Sequence, residues 1–163
     1  MSKSVTIGLT IDLPRLPETS ESTEQLIHAV GNRELHIVGI GSVETDRENV
    51  IMKEGREWHD LLPLFCSSLI NLNLTPWLRS CHHRLFQIAV SGAFILSDWR
   101  EDALTLFEPD VEAVYFKSLD KLPVLLDRFV NAPEDCQKMP EPHVSGSWLN
   151  KQQPTAWRNL VPD

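Results

Sequence analysis

Four side chains that could grip an anion lie close together: Arg79, His82, His83 and Arg84. They precede an apolar helical face, Leu85, Phe86, Ile88 and Ala89, so His83 and Arg84 fall at the first turn of a helix, where free amides and the helix dipole favour negative charge. A diphosphate suits that position, and a solvated basic patch on an acidic protein is the alternative. Downstream, Asp98, Glu101 and Asp102 offer carboxylates for acid and base work or for holding a sugar hydroxyl. As acids in the first turn of a helix they equally complement its dipole. Ser97 and Thr105 could add hydroxyl ligands.

Two metal- or cofactor-like patterns are weaker. Cys81-His82-His83 places potential zinc ligands side by side, but neighbours on a helix point in different directions and make a poor chelate without His59 or Cys66. Gly39-Ile-Gly41 follows a strand as a dinucleotide motif would, but Glu44 stands at the third glycine position, so a plain strand-end turn is the reading. No metal and no cofactor is expected, and no nucleophile elbow, P-loop or EF-hand pattern is present.

These groups need a scaffold, and the stretch from Leu85 to Glu108 prescribes one. Gly92 stops the first helix, Ala93 to Leu96 is a short apolar strand covered on both sides, and a polar loop from Ser97 to Asp102 leads into a second helix near Glu101 to Phe107. The loop leaves the carboxyl end of the strand, where open α/β sheets bind ligands.

The rest of the chain repeats the alternation. Strands are expected at Val5 to Ile11, Leu35 to Ile40, Val50 to Met52, Leu69 to Leu74 and Ala113 to Phe116. A helix capped by Ser22-x-x-Gln25 should close at Gly31, and others should span Trp58 to Ser67 and Lys121 to Asn131, the last with Asp120 as N-cap and Pro123 in its first turn. The order predicts an α/β fold: a doubly wound, mostly parallel, Rossmann-like sheet of about six strands. Residues 1–131 would form this domain. Residues 132–163 are a proline-rich, irregular C-terminal tail whose Trp148 and Trp157 are expected to dock on the domain or a partner.

Composition excludes several classes. The 163 residues suffice for one ordinary domain. A net charge of -8 with scattered cations argues against nucleic acid as the main partner. The longest apolar runs fall short of the ~20 residues of a membrane span. The polar start, Met1 to Ser4, is not a secretory signal, so a cytoplasmic setting is expected. The three cysteines, Cys66, Cys81 and Cys136, read as reduced thiols.

The segments INLNLT (Ile70 to Thr75), RLFQIAVSGAFILSDWREDALTLFEPD (Arg84 to Asp110) and YFKSLDKL (Tyr115 to Leu122) together resemble the carboxyl-terminal domain of CgeB-type, spore-protein-like glycosyltransferases of the GT-B fold. The resemblance implies a Rossmann-like half that binds a nucleotide-sugar donor in a cleft facing a second, acceptor-binding half. It puts Arg84, with His83, near the donor phosphates, Gly92 at a tight turn beneath the nucleotide, and the Ser97–Asp98 loop along the sugar pocket. Where the family carries glutamates, this chain has Gln87, Leu104 and Thr105. Thr105 could keep one hydrogen bond to the donor ribose but brings no charge, which implies weaker donor binding or none.

The expectation is therefore the donor-binding half of a hexosyltransferase, incomplete without a second GT-B-like domain or partner protein, with its catalytic residues unassigned. The alternative is a non-catalytic protein-interaction module, a pseudoenzyme on the same fold. A receiver-like signalling domain is a third class, for which no aspartate triad sits at the expected strand ends.

Overall fold

The computed structural model describes residues 6–12, 19–40, 45–54, 58–74 and 83–138. The six strands are β1 (Thr6–Asp12), β2 (Glu34–Ile40), β3 (Val50–Glu54), β4 (Ile70–Asn73), β5 (Ile95–Asp98) and β6 (Val114–Phe116). Between them run α1 (Thr19–Val30), α2 (Trp58–Ser67), α3 (His83–Val90) and the short α4 (Glu101–Leu104), and after them α5 (Leu122–Asn131) and α6 (Pro133–Gln137). All strand pairs are parallel, in the order β3-β2-β1-β4-β5-β6. The sheet is thus the doubly wound, Rossmann-like one that the alternation predicts, with the order reversing between β1 and β4.

Strand alternation sends side chains to two cores. Ile7, Leu35, Ile37, Ile70, Leu72 and Leu96 meet Leu26 and Val30 of α1 and Leu122, Leu126 and Phe129 of α5. On the opposite face Val38 and Ile95 meet Leu61, Leu64 and Phe65 of α2 and Leu85, Ile88 and Ala89 of α3, closed off by Ala103 and Phe107. Each of the fully buried large side chains contributes about 1.5–3 kcal/mol relative to leaving it in water.

Gly31 and Gly92 both take φ of 68°, the left-handed conformation that terminates α1 and α3. The short Gly92 turn lets the chain re-enter the sheet as β5.

Several boundaries differ from the sequence reading. Ser22 lies inside α1, which begins at Thr19; from Thr19 to Glu24 there is no glycine or proline to stop the helix extending toward Pro17. β5 is displaced by two residues and ends on Ser97 and Asp98, which the sequence placed in the following loop. α4 covers one turn, not two. Asp120 is not an N-cap but sits in a 3-10 turn, Leu119–Lys121, that leads into α5, with Pro123 in the first turn as expected. Pro123 lies at the start of α5, where the first-turn N–H groups have no partner within that helix, so the missing proline N–H costs little. Pro133–Gln137, read as the start of the tail, forms α6. The Trp148 and Trp157 anchors and the Gly41 half of the glycine pair lie outside the described residues.

Cys136 of α6 is buried in the first core. Burial pushes its thiol up to about 11, and the Asp135 charge adds to this. Between pH 9, where an unfolded cysteine ionises, and pH 11 the unfolded chain releases a proton that the folded chain keeps, so stability falls as pH rises through that window. Urea melts at pH 8.5 and 10.5 should show the wild type losing on the order of 1–2 kcal/mol more than Cys136→Ala. Equal losses would mean that the thiol does not contribute.

Candidate functional site

The carboxyl ends of β4 and β5 carry the polar residues Asn73, Ser97 and Asp98. Among the described residues, Asn71, Asn73 and Ser97 are the buried polar side chains, Asn73 at 2% and Ser97 at 1% exposure. Asn73 and Ser97 are register partners on adjacent strands, and the Asn73 Nδ2 donates to Ser97 Oγ at 2.9 Å. Ser97 Oγ in turn donates to the Asp98 backbone carbonyl at 3.2 Å, with Asp98 Oδ1 at 3.4 Å. This pairing explains the displaced β5: a buried hydroxyl is tolerated because a neighbouring strand satisfies it.

Asp98 is held from the solvent side. Its Oδ2 accepts from Arg100 Nε at 2.8 Å and from the terminal guanidinium nitrogen at 2.7 Å. The two side chains are 14% and 25% exposed, so the pair is sheltered and its charge-assisted bonds are stronger than those of a surface ion pair. The sequence reading groups Asp98, Glu101 and Asp102 as acids and does not single out Arg100. Its place two residues after Asp98 is the signal that could have found it. Glu101 and Asp102 are exposed in the first turn of α4.

α3 starts at this same rim. After β4 the chain returns as α3, so His83 and Arg84 stand at the helix end that faces the carboxyl ends of the strands, His83 exposed and Arg84 half-buried. One turn along, the Oε1 of Gln87 is buried with no hydrogen-bond partner, as is Oδ1 of Asn73. Arg79 and His82 lie outside the described residues.

The structure therefore brings His83, Arg84, Ser97 and Asp98 to one rim. It separates Gly92 from them: the residue ends α3 and precedes β5, at the amino-terminal edge of the sheet, where it serves as a helix stop. Thr105 is exposed at the end of α4, and its hydroxyl donates to the Asp102 carbonyl at 2.7 Å. Among the described residues no group of three His, Cys, Asp or Glu is placed to hold a metal, and no helix is long and apolar enough to cross a membrane.

Chemically, a half-buried arginine, a helix N-terminus and a strand-end carboxylate can hold a polyanion and a hydroxyl-bearing group side by side.

Residues 19–142, well over half of the chain, match the family model described as Glycosyl transferase-like. No curated protein matches the sequence. Among solved structures, TarM is 14% identical with a TM-score of 0.64, the match covering 96% of this chain and 35% of TarM. HepE of Anabaena, solved in complex with UDP-glucose, is also 14% identical with a TM-score of 0.64, covering 91% of this chain and 44% of HepE. The C-terminal domain of LpcC, a glycosyl transferase group 1 family protein from Francisella tularensis, is 13% identical with a TM-score of 0.59, covering 91% of this chain and 87% of that domain. The chain thus spans less than half the length of TarM and of HepE, and its fold is that of one Rossmann-like domain of such GT-B proteins.

Proposed function

Because the chain belongs to the glycosyl transferase-like family, we propose that it is the nucleotide-sugar donor-binding half of a GT-B glycosyltransferase, acting opposite a second Rossmann-like unit on the same polypeptide or another. The observation that carries the reading is the shared rim: His83 and Arg84 open α3 beside the strand end that bears Ser97 and Asp98. In this proposal Arg84, His83 and the amides of α3 hold the diphosphate, and Asp98, fixed by Ser97 and Arg100, accepts a hydroxyl of the sugar. Within that family we propose the CgeB-type, on the strength of INLN, the Arg84-x-Phe86 run and LFEPD.

Their chemistry would be positional and electrostatic. Cations and helix amides stabilise charge on the departing diphosphate while the opposite unit presents the acceptor hydroxyl. The UDP-glucose bound by HepE makes uridine diphosphate sugars the first donors to test, guanosine diphosphate sugars the next. Calorimetric titration is expected to show saturable binding of UDP-glucose or GDP-mannose with a matching rise in melting temperature. Absence of both heat and thermal shift at millimolar nucleotide would overturn the reading.

A second reading keeps the fold and drops the donor. Gln87, Leu104 and Thr105 favour it, since all three stand where the resembled family carries glutamates, and the Thr105 hydroxyl is taken by its own turn. In that case the domain is an interaction module, and detectable sugar transfer with a co-purified protein would refute it.

A further inference from the structure

Trp99 leaves the carboxyl end of β5 with 39% of its surface exposed, and neither core cluster includes its ring. It is nonetheless held firmly. Its backbone N–H donates to the Phe116 carbonyl at 2.8 Å, and the Tyr115 ring meets it edge-on, with centroids 6.2 Å apart and planes at 78°. Tyr115 is itself anchored through its hydroxyl, which donates to the Ala103 carbonyl at 3.2 Å. Over the ring rests a cation: Lys117 Nζ lies 4.3 Å from the centroid. The Asp98–Arg100 pair flanks this platform in sequence on both sides.

We propose that Trp99 and Lys117 form a subsite for an anionic pyranose, a sugar ring bearing a carboxylate or a phosphate. The inference rests on the sugar-transfer reading above and adds the charge class of the sugar. A fixed indole presents a π face that accepts the C–H face of a pyranose, as it accepts other flat or cationic groups. A neutral sugar stacking there must displace the ammonium of Lys117 and gives it nothing in return. An anionic sugar displaces it from the ring and offers it a negative partner, so the site selects for charge. Contact of the ring with Tyr115, on a backbone held by the Phe116 carbonyl, lowers the ordering cost that a loose surface tryptophan would incur.

The test uses the full chain and ligand-observed NMR titrations with glucuronic acid, glucose 6-phosphate and glucose, with UDP titrated separately. Wild type should bind at least one of the two anionic sugars about fivefold or more tighter than glucose, and the tighter of them identifies the source of the charge. Trp99→Ala should weaken sugar binding about tenfold while Trp99→Phe retains most of it. Lys117→Gln should leave weak binding and erase the preference for charge. Glucose binding as tightly as both anionic sugars, an unchanged Trp99→Ala, or displacement of the sugars from wild type by UMP would overturn the proposal. UDP binding without sugar binding refutes this subsite and leaves the donor reading standing; sugar binding without UDP binding does the reverse.

Discussion

Replacing Gly8 with alanine should cost about 2 kcal/mol of folding stability, although the change is a single methyl group. Gly8 sits in β1 at the centre of the sheet, between His36 of β2 and Asn71 of β4. A Cβ added there would lie 2.6 Å from Ser68 Oγ, 3.0 Å from Asn71 Oδ1 and 3.2 Å from Leu64 Cγ. Leu64 is buried in α2 and the asparagine is fixed through its Nδ2 to the carbonyls of Phe65 and Phe94, so two of the three neighbours cannot yield cheaply. Reduced entropy of the unfolded chain returns only about 0.4–1 kcal/mol, so the clash dominates. Ser68 Oγ is buried without a hydrogen-bond partner, and adding Ser68→Ala to Gly8→Ala should recover much of the loss by removing the closest contact. Urea denaturation of the two single variants and the double variant gives the cycle. A Gly8→Ala loss below about 0.5 kcal/mol would show that α2 is free to move away from β1.

The second large effect concerns Arg84. On the donor-binding proposal, Arg84→Ala should lower affinity for UDP-glucose at least about tenfold, since hydrogen bonds to a charged group are worth about 1.5–3 kcal/mol. Arg84→Lys should fall between, because it keeps the charge and loses the planar fork that matches phosphate. Melting curves recorded with each titration separate these effects from unfolding. Unchanged affinity in Arg84→Ala would remove the arginine from the site.

Much of the fold was legible because apolar runs, glycine stops and prolines all act locally. Gly31 and Gly92 were readable as helix ends, and both adopt the left-handed conformation that this requires. Trp58–Ser67 forms as read despite Pro63 inside it. The misplacement of β5 has a lateral cause. Ser97 and Asp98 look like loop residues along the chain, and it is Asn73, on the neighbouring strand, that makes a buried Ser97 tolerable. The same holds for Gly8, whose constraint comes from α2 and β4 and leaves no trace in its own neighbours in sequence.

The site divides in the same way. His83, Arg84, Ser97 and Asp98 could be grouped from their positions at a helix start and a strand end, which are sequential properties. Gly92 could not be sorted correctly without topology, because a helix links the two rims and puts its two ends at opposite edges of the sheet. Arg100, Trp99 and Lys117 gain their significance from contacts among side chains: an ion pair onto Asp98 and a cation over an aromatic ring.

The most direct test of the account is a chemical-shift map of the amides as UDP-glucose is titrated into isotopically labelled protein. The largest shifts should fall on His83 to Gln87 and on Ser97 to Arg100, with Gly92 and Ala93 at the opposite edge unmoved. Shifts centred on Gly92, or an unchanged spectrum at millimolar donor, would contradict it.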